Sequence, residues 1–87
     1  MKRVRFSIDA PGAATVLLSG DFTDWEARAH RMRRVRRGSR TFATSVPLDP
    51  GTYEYKFLID GQWVDDPKAE RVPNSFGTMN SVRHVAP

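Results

Sequence analysis

Alternation of apolar and polar residues predicts β-strands along most of the chain. Residues 3–9 place apolar side chains at every second position between charged and polar ones, which is typical of a strand with one buried face. Residues 14–19 form an aliphatic run closed by a glycine, and this run predicts a second strand. Residues 20–29 then predict a loop, with room for one short helical turn at residues 24–29.

A hairpin is predicted in the middle of the chain. Residues 32–36 are a weak strand candidate, and residues 41–46 alternate between apolar and polar side chains. The Gly-Ser pair at residues 38–39 supplies a turn between these two segments. Residues 47–51 contain two prolines and a glycine and therefore predict the next turn.

The strongest strand signal lies at residues 52–59, where two tyrosines, a phenylalanine and an isoleucine occupy alternate positions. The Asp-Gly pair at residues 60–61 follows directly and favours a type I′ turn, which sends the chain back through residues 62–64. Residues 65–78 are polar, contain two prolines, and predict a long irregular loop. Residues 81–85 predict a last strand.

Together these segments predict an all-β fold. About seven short strands, with no helical periodicity over ten or more residues, favour an antiparallel β-sandwich. The chain has 87 residues, and we expect residues 1–87 to form a single domain. A chain of this size buries about 60–68% of its unfolded surface, which suffices for one core but not for a cofactor cleft between two domains.

The composition limits the cellular compartments and the kinds of chemistry that are possible for this chain. There is no cysteine, which excludes disulfides, thiolate metal sites and a cysteine nucleophile and permits a reducing compartment. No apolar stretch approaches the roughly 20 residues that span a bilayer, and no apolar segment typical of a secretory signal follows the basic start. The prediction is a soluble cytoplasmic protein without a membrane partner.

Arginine is concentrated in one segment. Seven arginines and no acid fall within the 13 positions from Arg28 to Arg40, whereas the other residues carry seven Lys/Arg against ten Asp/Glu. The favoured interpretation is a solvated hairpin whose charges protect a sheet edge. The alternatives are an electrostatic footprint for phosphate and a surface that docks another protein or an acidic surface. Nucleic-acid binding is disfavoured, because no aromatic residues are interleaved on which bases could stack.

No arrangement of residues indicates catalysis. Asp65 and Asp66 form the only acidic doublet, and neighbouring residues on an extended chain point to opposite faces, so the two carboxylates cannot straddle a scissile bond. His30 and His84 lack metal-ligand spacing, and no glycine-rich phosphate loop is present. We expect no enzyme activity, no metal and no cofactor.

Trp25 and Trp63 carry most of the functional information, because each lies at a polar turn rather than inside an apolar run. Two outward-facing indoles would form a platform for a ligand with apolar faces and polar edges, such as a sugar ring. The alternative is that both are partly buried anchors that cap the core. Strand alternation places Lys56 on the exposed face near Trp63. The following loop adds neutral hydrogen-bonding groups suited to sugar hydroxyls, at Asn74, Ser75, Thr78 and Asn80.

Three segments in order carry a resemblance to a known family: LSGDFTDW at residues 18–25, PGTYEYKFLIDGQWVDDP at 50–67 and NSFGTMNSV at 74–82. They resemble carbohydrate-binding module family 48, which includes the glycogen-binding domain of the AMP-activated protein kinase β subunit. The family also includes the early-set domain at the N-terminus of isoamylases and branching enzymes. The resemblance implies an immunoglobulin-like early-set sandwich that binds α-1,4-linked glucan, such as glycogen, maltooligosaccharide or cyclodextrin, without catalysis.

The resemblance also implies which residues bind the glucan. In kinase-type members two tryptophans stack on glucose rings, a lysine and an asparagine bond the hydroxyls, a threonine assists, and an apolar side chain inserts into the glucan helix. These positions fall on Trp25, Lys56, Trp63, Phe76, Thr78 and Asn80. The alternative function is a docking module for a glycogen-metabolising enzyme or a kinase, with residues 28–40 as the docking surface.

Two features depart from the family pattern. The family often has asparagine where Thr23 or Asp24 stands, so the sequence leaves the geometry of that loop open. The arginine-rich segment at residues 28–40 is also not expected of the family.

Overall fold

The structure is a computed structural model that describes all residues from Met1 to Pro87. Nine strands and two short 3₁₀ helices follow one another along the chain. The strands are β1 (Lys2–Asp9), β2 (Val16–Gly20), β3 (His30–Arg31), β4 (Arg33–Arg34), β5 (Thr41–Leu48), β6 (Gly51–Ile59), β7 (Gln62–Val64), β8 (Glu70–Pro73) and β9 (Met79–Val85). The 3₁₀ helices are Asp21–Thr23 and Trp25–Arg28. No helix has the length and apolar character that crossing a membrane requires.

Two antiparallel sheets make up the fold. The smaller sheet has three strands in the order β1-β5-β4. The larger has six, in the order β3-β2-β6-β9-β8, with β7 paired to the end of β6. Every pairing is antiparallel, and the apolar faces of both sheets supply the core, so the predicted all-β sandwich is confirmed.

Aromatic side chains fill the centre of the core. Phe6 from β1 and Tyr55 and Phe57 from β6 are each fully buried. The ring centroids of Phe6 and Tyr55 lie 4.9 Å apart in an edge-to-face arrangement, and those of Tyr55 and Phe57 lie 5.7 Å apart. The inward face predicted for residues 52–59 is therefore confirmed, and the opposite face of β6 is left for other contacts.

The buried Tyr55 has a polar hydroxyl group, and this hydroxyl forms a hydrogen bond within the core. Its hydroxyl donates to the Asp66 carboxylate at 2.7 Å, and the Asp66 N–H donates to the Ser81 hydroxyl at 2.8 Å. Burial, together with the hydrogen bond to Asp66, raises the pKa of the Tyr55 phenol above its ordinary value. The pair joins the start of the β7–β8 connection to β6.

The prediction of an irregular loop over residues 65–78 is wrong in part. Glu70–Pro73 forms β8, which pairs with β9 at the edge of the larger sheet. Only Val72 in this strand is half-buried, so β8 has no apolar alternation that a sequence pattern could reveal. Pro73 ends the strand on the edge, where a missing N–H costs no ladder hydrogen bond.

The predicted turn at residues 47–51 is shorter than expected. Strand β5 continues through Pro47, which pairs with Arg3, to the buried Leu48. Strand β4 covers β5 only opposite Ala43 and Phe42, so β5 has a free edge at Pro47 that tolerates proline.

Only part of the weak strand predicted at residues 32–36 forms, because β4 lies within this range whereas β3 precedes it at His30–Arg31. β3 pairs with β2 in the larger sheet, and β4 pairs with β5 in the smaller one. Met32 lies between them, is only 2% exposed, and carries the chain from one sheet to the other through the core. The hairpin predicted around residues 38–39 is confirmed, but it pairs only two residues of β4.

Candidate functional site

The six residues predicted to form a site all line one groove of about 860 Å³. The groove lies over the outward face of β6, between the loop that follows β2 and the connection between β8 and β9. The six residues are Trp25, Lys56, Trp63, Phe76, Thr78 and Asn80. Neither tryptophan belongs to the hydrophobic core, so the alternative that both cap the core is wrong.

Trp63 is held over this face by the β6–β7 hairpin. Asp60 and Gly61 both have left-handed backbone conformations, with φ of 48° and 82°, as the predicted type I′ turn requires. The Asp60 carboxylate also accepts the backbone N–H of Thr15 at 2.8 Å, which ties the hairpin to the start of β2. Trp63 pairs directly with Leu58 in the ladder, lies on the same face as Lys56, and is 45% exposed.

A tight loop after β2 presents Trp25 to the groove. Asp24 and Trp25 are consecutive non-glycine residues in the left-handed region, with φ of 53° and 54°. Each such residue costs about 1–2 kcal/mol, so other contacts must hold the loop. The buried Thr23 hydroxyl accepts the Gly20 N–H at 2.9 Å and lies 2.8 Å from the Trp25 carbonyl oxygen. Thr23 therefore stabilises the conformation that presents the indole.

Gly20 lets this loop lie against β6. A Cβ at Gly20 would be 2.6 Å from the carbonyl oxygen of Glu54 and 2.7 Å from the Phe22 ring. No other residue fits this approach without displacement of the backbone. The Asp21 carboxylate then accepts the Glu54 N–H at 3.1 Å, which fixes the loop to the strand that carries the groove.

Asn74 organises the other wall of the groove. Its side-chain oxygen accepts the N–H groups of Phe76 at 2.9 Å and Thr78 at 3.1 Å, and its amide nitrogen donates to the Thr78 hydroxyl at 2.7 Å. These bonds close a turn, with Gly77 at φ 82°, that leaves Phe76 89% exposed. A phenylalanine so exposed contributes nothing to the core, and its ring stands free beside the groove.

Asn80 has a fixed amide orientation. Its nitrogen donates to the Glu54 carboxylate at 3.0 Å, and its oxygen accepts from the Asn74 amide at 3.0 Å. Asn80 lies within β9 and is 6% exposed, so its side chain is held by the sheet rather than by a loop. One N–H and one lone pair of the Asn80 amide remain for a further partner.

Lys56 is more enclosed than predicted. The sequence placed it on an exposed face, yet its side chain is only 14% exposed. Its ammonium lies 3.5 Å from a buried Asp65 oxygen that makes no hydrogen bond, so the two form a long ion pair. The ammonium therefore lines the groove with donors that no protein acceptor saturates.

The sequence offers Asn74 only as a hydrogen-bonding group of the loop and does not assign Glu54 to the site, although both line the groove. Glu54 has a signal in the sequence, because alternation along β6 places it on the same face as Lys56. Asn74 has a weaker one, since an asparagine two residues before a loop N–H is the pattern of an Asx turn. Neither signal shows that both side chains bond Asn80.

The candidate catalytic groups lie apart from one another. Asp66 is buried against Tyr55, whereas Asp65 lies between Lys56 and Arg71. His84 of β9 bonds Thr52 of β6 and Glu70 of β8, which are the two neighbouring strands. No group of three or more metal-ligating side chains comes together in the structure.

The antiparallel sandwich has an open groove lined by two indoles, an exposed phenyl ring, two amides and four charged side chains, a combination that suits a ligand with apolar faces and polar edges. Comparison with known proteins gives the family. The model of the family described as the glycogen recognition site of AMP-activated protein kinase matches residues 3–87. The chain therefore belongs to this family of carbohydrate-binding modules.

Individual relatives agree with this assignment. The chain is 34% identical to 5'-AMP-activated protein kinase subunit beta-2 of Mus musculus over 74 residues, which is 85% of this chain and 26% of that protein. It is 35% identical to subunit beta-1 of Sus scrofa over the same share of the chain, covering 57% of that sequence. It is also 44% identical to the chloroplastic protein FLOURY ENDOSPERM 6 of Oryza sativa over 63 residues, 72% of this chain and 11% of that protein. The chain thus spans only part of the length of each relative.

Proposed function

We propose that this chain binds α-1,4-linked glucan, such as glycogen or a maltooligosaccharide, as one non-catalytic domain over residues 1–87. The observation that carries the proposal is the convergence of Trp25, Trp63 and the exposed Phe76 on one groove with unsaturated hydrogen-bonding groups. Glucose rings offer apolar C–H faces to the indoles and hydroxyls to the polar groups. Membership of a glycogen-recognition family supports the same ligand class.

Each wall of the groove has a separate task in this proposal. Trp25 and Trp63 stack on glucose rings, at about 1–3 kcal/mol per ring if base stacking on aromatic residues is the guide. Phe76 inserts into the curve of the glucan, because it projects from a turn and has no contact in the core. Shallow, hydrated sites of this kind give affinities of about −4 to −8 kcal/mol, which is millimolar to micromolar.

Polar groups fix the position of the chain of sugars. The Lys56 ammonium donates to ring hydroxyls, and its long ion pair with Asp65 leaves it free to do so. Asn80 contributes its remaining N–H and lone pair, and Thr78 supplies a hydroxyl. Glu54 and Asn74 act behind Asn80 by holding its amide in one orientation.

The relatives support a proposal about the partner protein that accompanies this binding. The named β subunits belong to a kinase, so a kinase or a glycogen-metabolising enzyme is the partner that a longer protein would bring to the glucan. The chain alone would tether a partner rather than react with the ligand. The absence of cysteine is compatible with a reducing compartment, and we propose the cytoplasm as the place of binding.

Substitution of Trp63 tests the function directly. Trp63 is 45% exposed and outside the core, so Trp63→Ala should abolish retardation of the protein in a glycogen-containing native gel while the melting temperature stays close to the wild-type value. Val35 is 43% exposed on the arginine-rich hairpin, outside the groove residues, and Val35→Ala is the matched control for loss of exposed apolar surface.

Titration of tryptophan fluorescence with maltoheptaose and β-cyclodextrin gives a second measure. Binding at the groove should change the emission of the wild-type protein and of Val35→Ala to the same extent. A folded Trp63→Ala variant with normal retention in glycogen would overturn the proposed site. A wild-type protein that migrates unchanged in glycogen would instead indicate a docking module.

A further inference from the structure

The arginine-rich segment has no counter-charges in the structure. The three ion pairs present join Lys56 and Arg71 to Asp65, and His84 to Glu70. None of the seven arginines between Arg28 and Arg40 takes part in an ion pair. Like charges held close together raise the free energy of the folded state unless an anion neutralises them. The segment therefore carries seven positive charges that no ion pair within the chain compensates.

Part of this charge is gathered around a second cavity. The cavity has a volume of about 640 Å³ and lies between the turn after β1 and the β4–β5 hairpin. Its lining includes Arg34, Arg37 and Arg40 and contains no acidic and no aromatic residue. The Ala10 N–H donates to the Arg40 carbonyl at 2.8 Å, so the two turns that form the cavity are tied together. The sandwich thus holds the cavity walls in register.

One of the three guanidinium groups is held in place before any ligand arrives. Arg34 donates to the Ala13 carbonyl at 2.8 Å, and its guanidinium lies 4.7 Å from the centre of the Phe42 ring. The carbonyl occupies a single N–H, which leaves further donors of the same planar group free. Pre-organisation of this kind lowers the entropic cost of binding an anion.

We propose that this cavity is an oxyanion site for a phosphate monoester. A monoester carries close to two negative charges and three terminal oxygens, which match three arginine forks better than the single charge of a carboxylate does. A nucleic-acid strand fits less well, because the lining offers no ring on which a base could stack. The site shares no lining residue with the glucan groove, so the proposal does not depend on the proposed function.

Two glycines of the lining make convenient reporters. Gly12 and Gly38 lie one in each turn, and a Cβ on either would meet nothing within 4 Å, so both face open space. Titration with glucose 6-phosphate at constant ionic strength should shift the amide resonances of both in nuclear magnetic resonance spectra, with saturation. Glucose with sodium chloride at the same ionic strength should not shift them.

Substitutions separate a defined site from general charge attraction. Arg37→Gln and Arg40→Gln each remove a charge-assisted contact, and each should weaken binding of glucose 6-phosphate about tenfold. Arg28→Gln changes the net charge equally but lies outside the cavity, and it should leave the affinity within about twofold of wild type. All three side chains are exposed, so a circular-dichroism melt should confirm that each variant is folded.

Inorganic phosphate and an oligonucleotide complete the test. Inorganic phosphate should compete with glucose 6-phosphate at the same glycine resonances, because recognition is directed to the phosphoryl group. Equal losses in Arg28→Gln and Arg37→Gln would overturn the proposal, since they would indicate net charge alone. Tighter binding of single-stranded DNA, with affinity that falls steeply in salt, would overturn it in favour of a polyanion surface.

Discussion

The hydroxyl of Thr23 lies 2.8 Å from the carbonyl oxygen of Trp25. The same hydroxyl accepts the Gly20 N–H at 2.9 Å and lies 3.0 Å from the Gly20 carbonyl oxygen. The single proton of the hydroxyl can be donated to only one of the two carbonyl oxygens at a time. The buried Thr23 oxygen thus connects Gly20 with Trp25 and closes the loop. The family often has asparagine at one of the two positions Thr23 and Asp24, and here a threonine holds the loop.

Replacement of Thr23 by valine should therefore affect binding as well as stability. Valine has nearly the same shape but leaves the Gly20 N–H without its partner, which should lower the free energy of unfolding by about 1–2 kcal/mol. A drop of this size lowers the melting temperature by about 4–16 °C in a domain of this length. Because Trp25 then loses its fixed backbone, glucan affinity should fall about three- to tenfold. Calorimetric titration with maltoheptaose measures the affinity.

Thr23→Ser supplies the control for this prediction. Serine keeps the hydroxyl and loses only a methyl group, so it should retain most of the affinity even where it lowers stability. If Thr23→Val bound glucan as tightly as wild type, the hydroxyl would have no part in presenting the indole.

Replacement of Phe76 should lower the glucan affinity with almost no change in the free energy of unfolding. Its side chain is 89% exposed and is absent from the core, so Phe76→Ala should change the free energy of unfolding by no more than about 0.5 kcal/mol. Loss of its ring from the glucan should weaken binding by about 1–3 kcal/mol, or five- to 150-fold. Affinity electrophoresis in glycogen and a urea unfolding curve measure the two effects. A folded Phe76→Ala variant with wild-type retention would remove Phe76 from the site.

The sheet that carries the groove could be predicted because its signals are local. The alternation at residues 52–59 and the Asp60-Gly61 turn each follow from a few neighbouring side chains. Together they predict that Lys56 and Trp63 lie on one face of the sheet. The geometry of the groove agrees with that expectation.

What the sequence did not reveal depends on contacts between distant residues. Strand β8 lies on an edge with both faces largely open, so it carries no periodic pattern. Glu54 reaches Asn80 across 26 positions of sequence, and Lys56 is covered because Asp65 packs beside it. The local composition does not show that a polar side chain is buried by partners elsewhere in the chain.

Gly20 illustrates a requirement set by close approach rather than by backbone conformation. Its φ of −167° is extended and open to any residue, yet a Cβ would lie 2.6 Å from the Glu54 carbonyl oxygen. Gly20→Ala should lower the free energy of unfolding by about 3 kcal/mol, the upper end of measured overpacking costs. Gly12 is the contrasting case, with φ of 77° and open space, and Gly12→Ala should cost about 1–2 kcal/mol.

Thermal unfolding of the two glycine variants measures this difference. The larger loss should fall on Gly20→Ala, with a shift in Trp25 fluorescence because the loop moves away from β6. A larger loss for Gly12→Ala would contradict the close approach that the structure describes at Gly20.

The buried Tyr55 phenol should make the protein sensitive to alkaline pH. Burial and the hydrogen bond to Asp66 raise its pKa, so the folded protein keeps a proton that the unfolded chain releases near pH 10, the ordinary value for tyrosine being about 10. Above that pH the unfolded state binds fewer protons than the folded state, and the free energy of unfolding falls as the pH rises. Below about pH 10 this contribution is fully present. Tyr55 alone can add a slope of up to about 1.4 kcal/mol per pH unit.

Comparison of two phenylalanine variants isolates this effect. Tyr55→Phe removes the titrating group and leaves the Asp66 carboxylate with the Lys68 N–H at 3.0 Å, so it should lose about 1–3 kcal/mol at pH 7 and show a shallower decline above pH 10. Tyr53→Phe loses a hydrogen bond from an exposed hydroxyl to the Asp49 carbonyl, keeps Tyr55, and should retain the steep decline. Urea unfolding at pH 7, 10 and 11 measures both slopes. Equal slopes in the two variants would show that the Tyr55 proton is not what destabilises the fold at high pH.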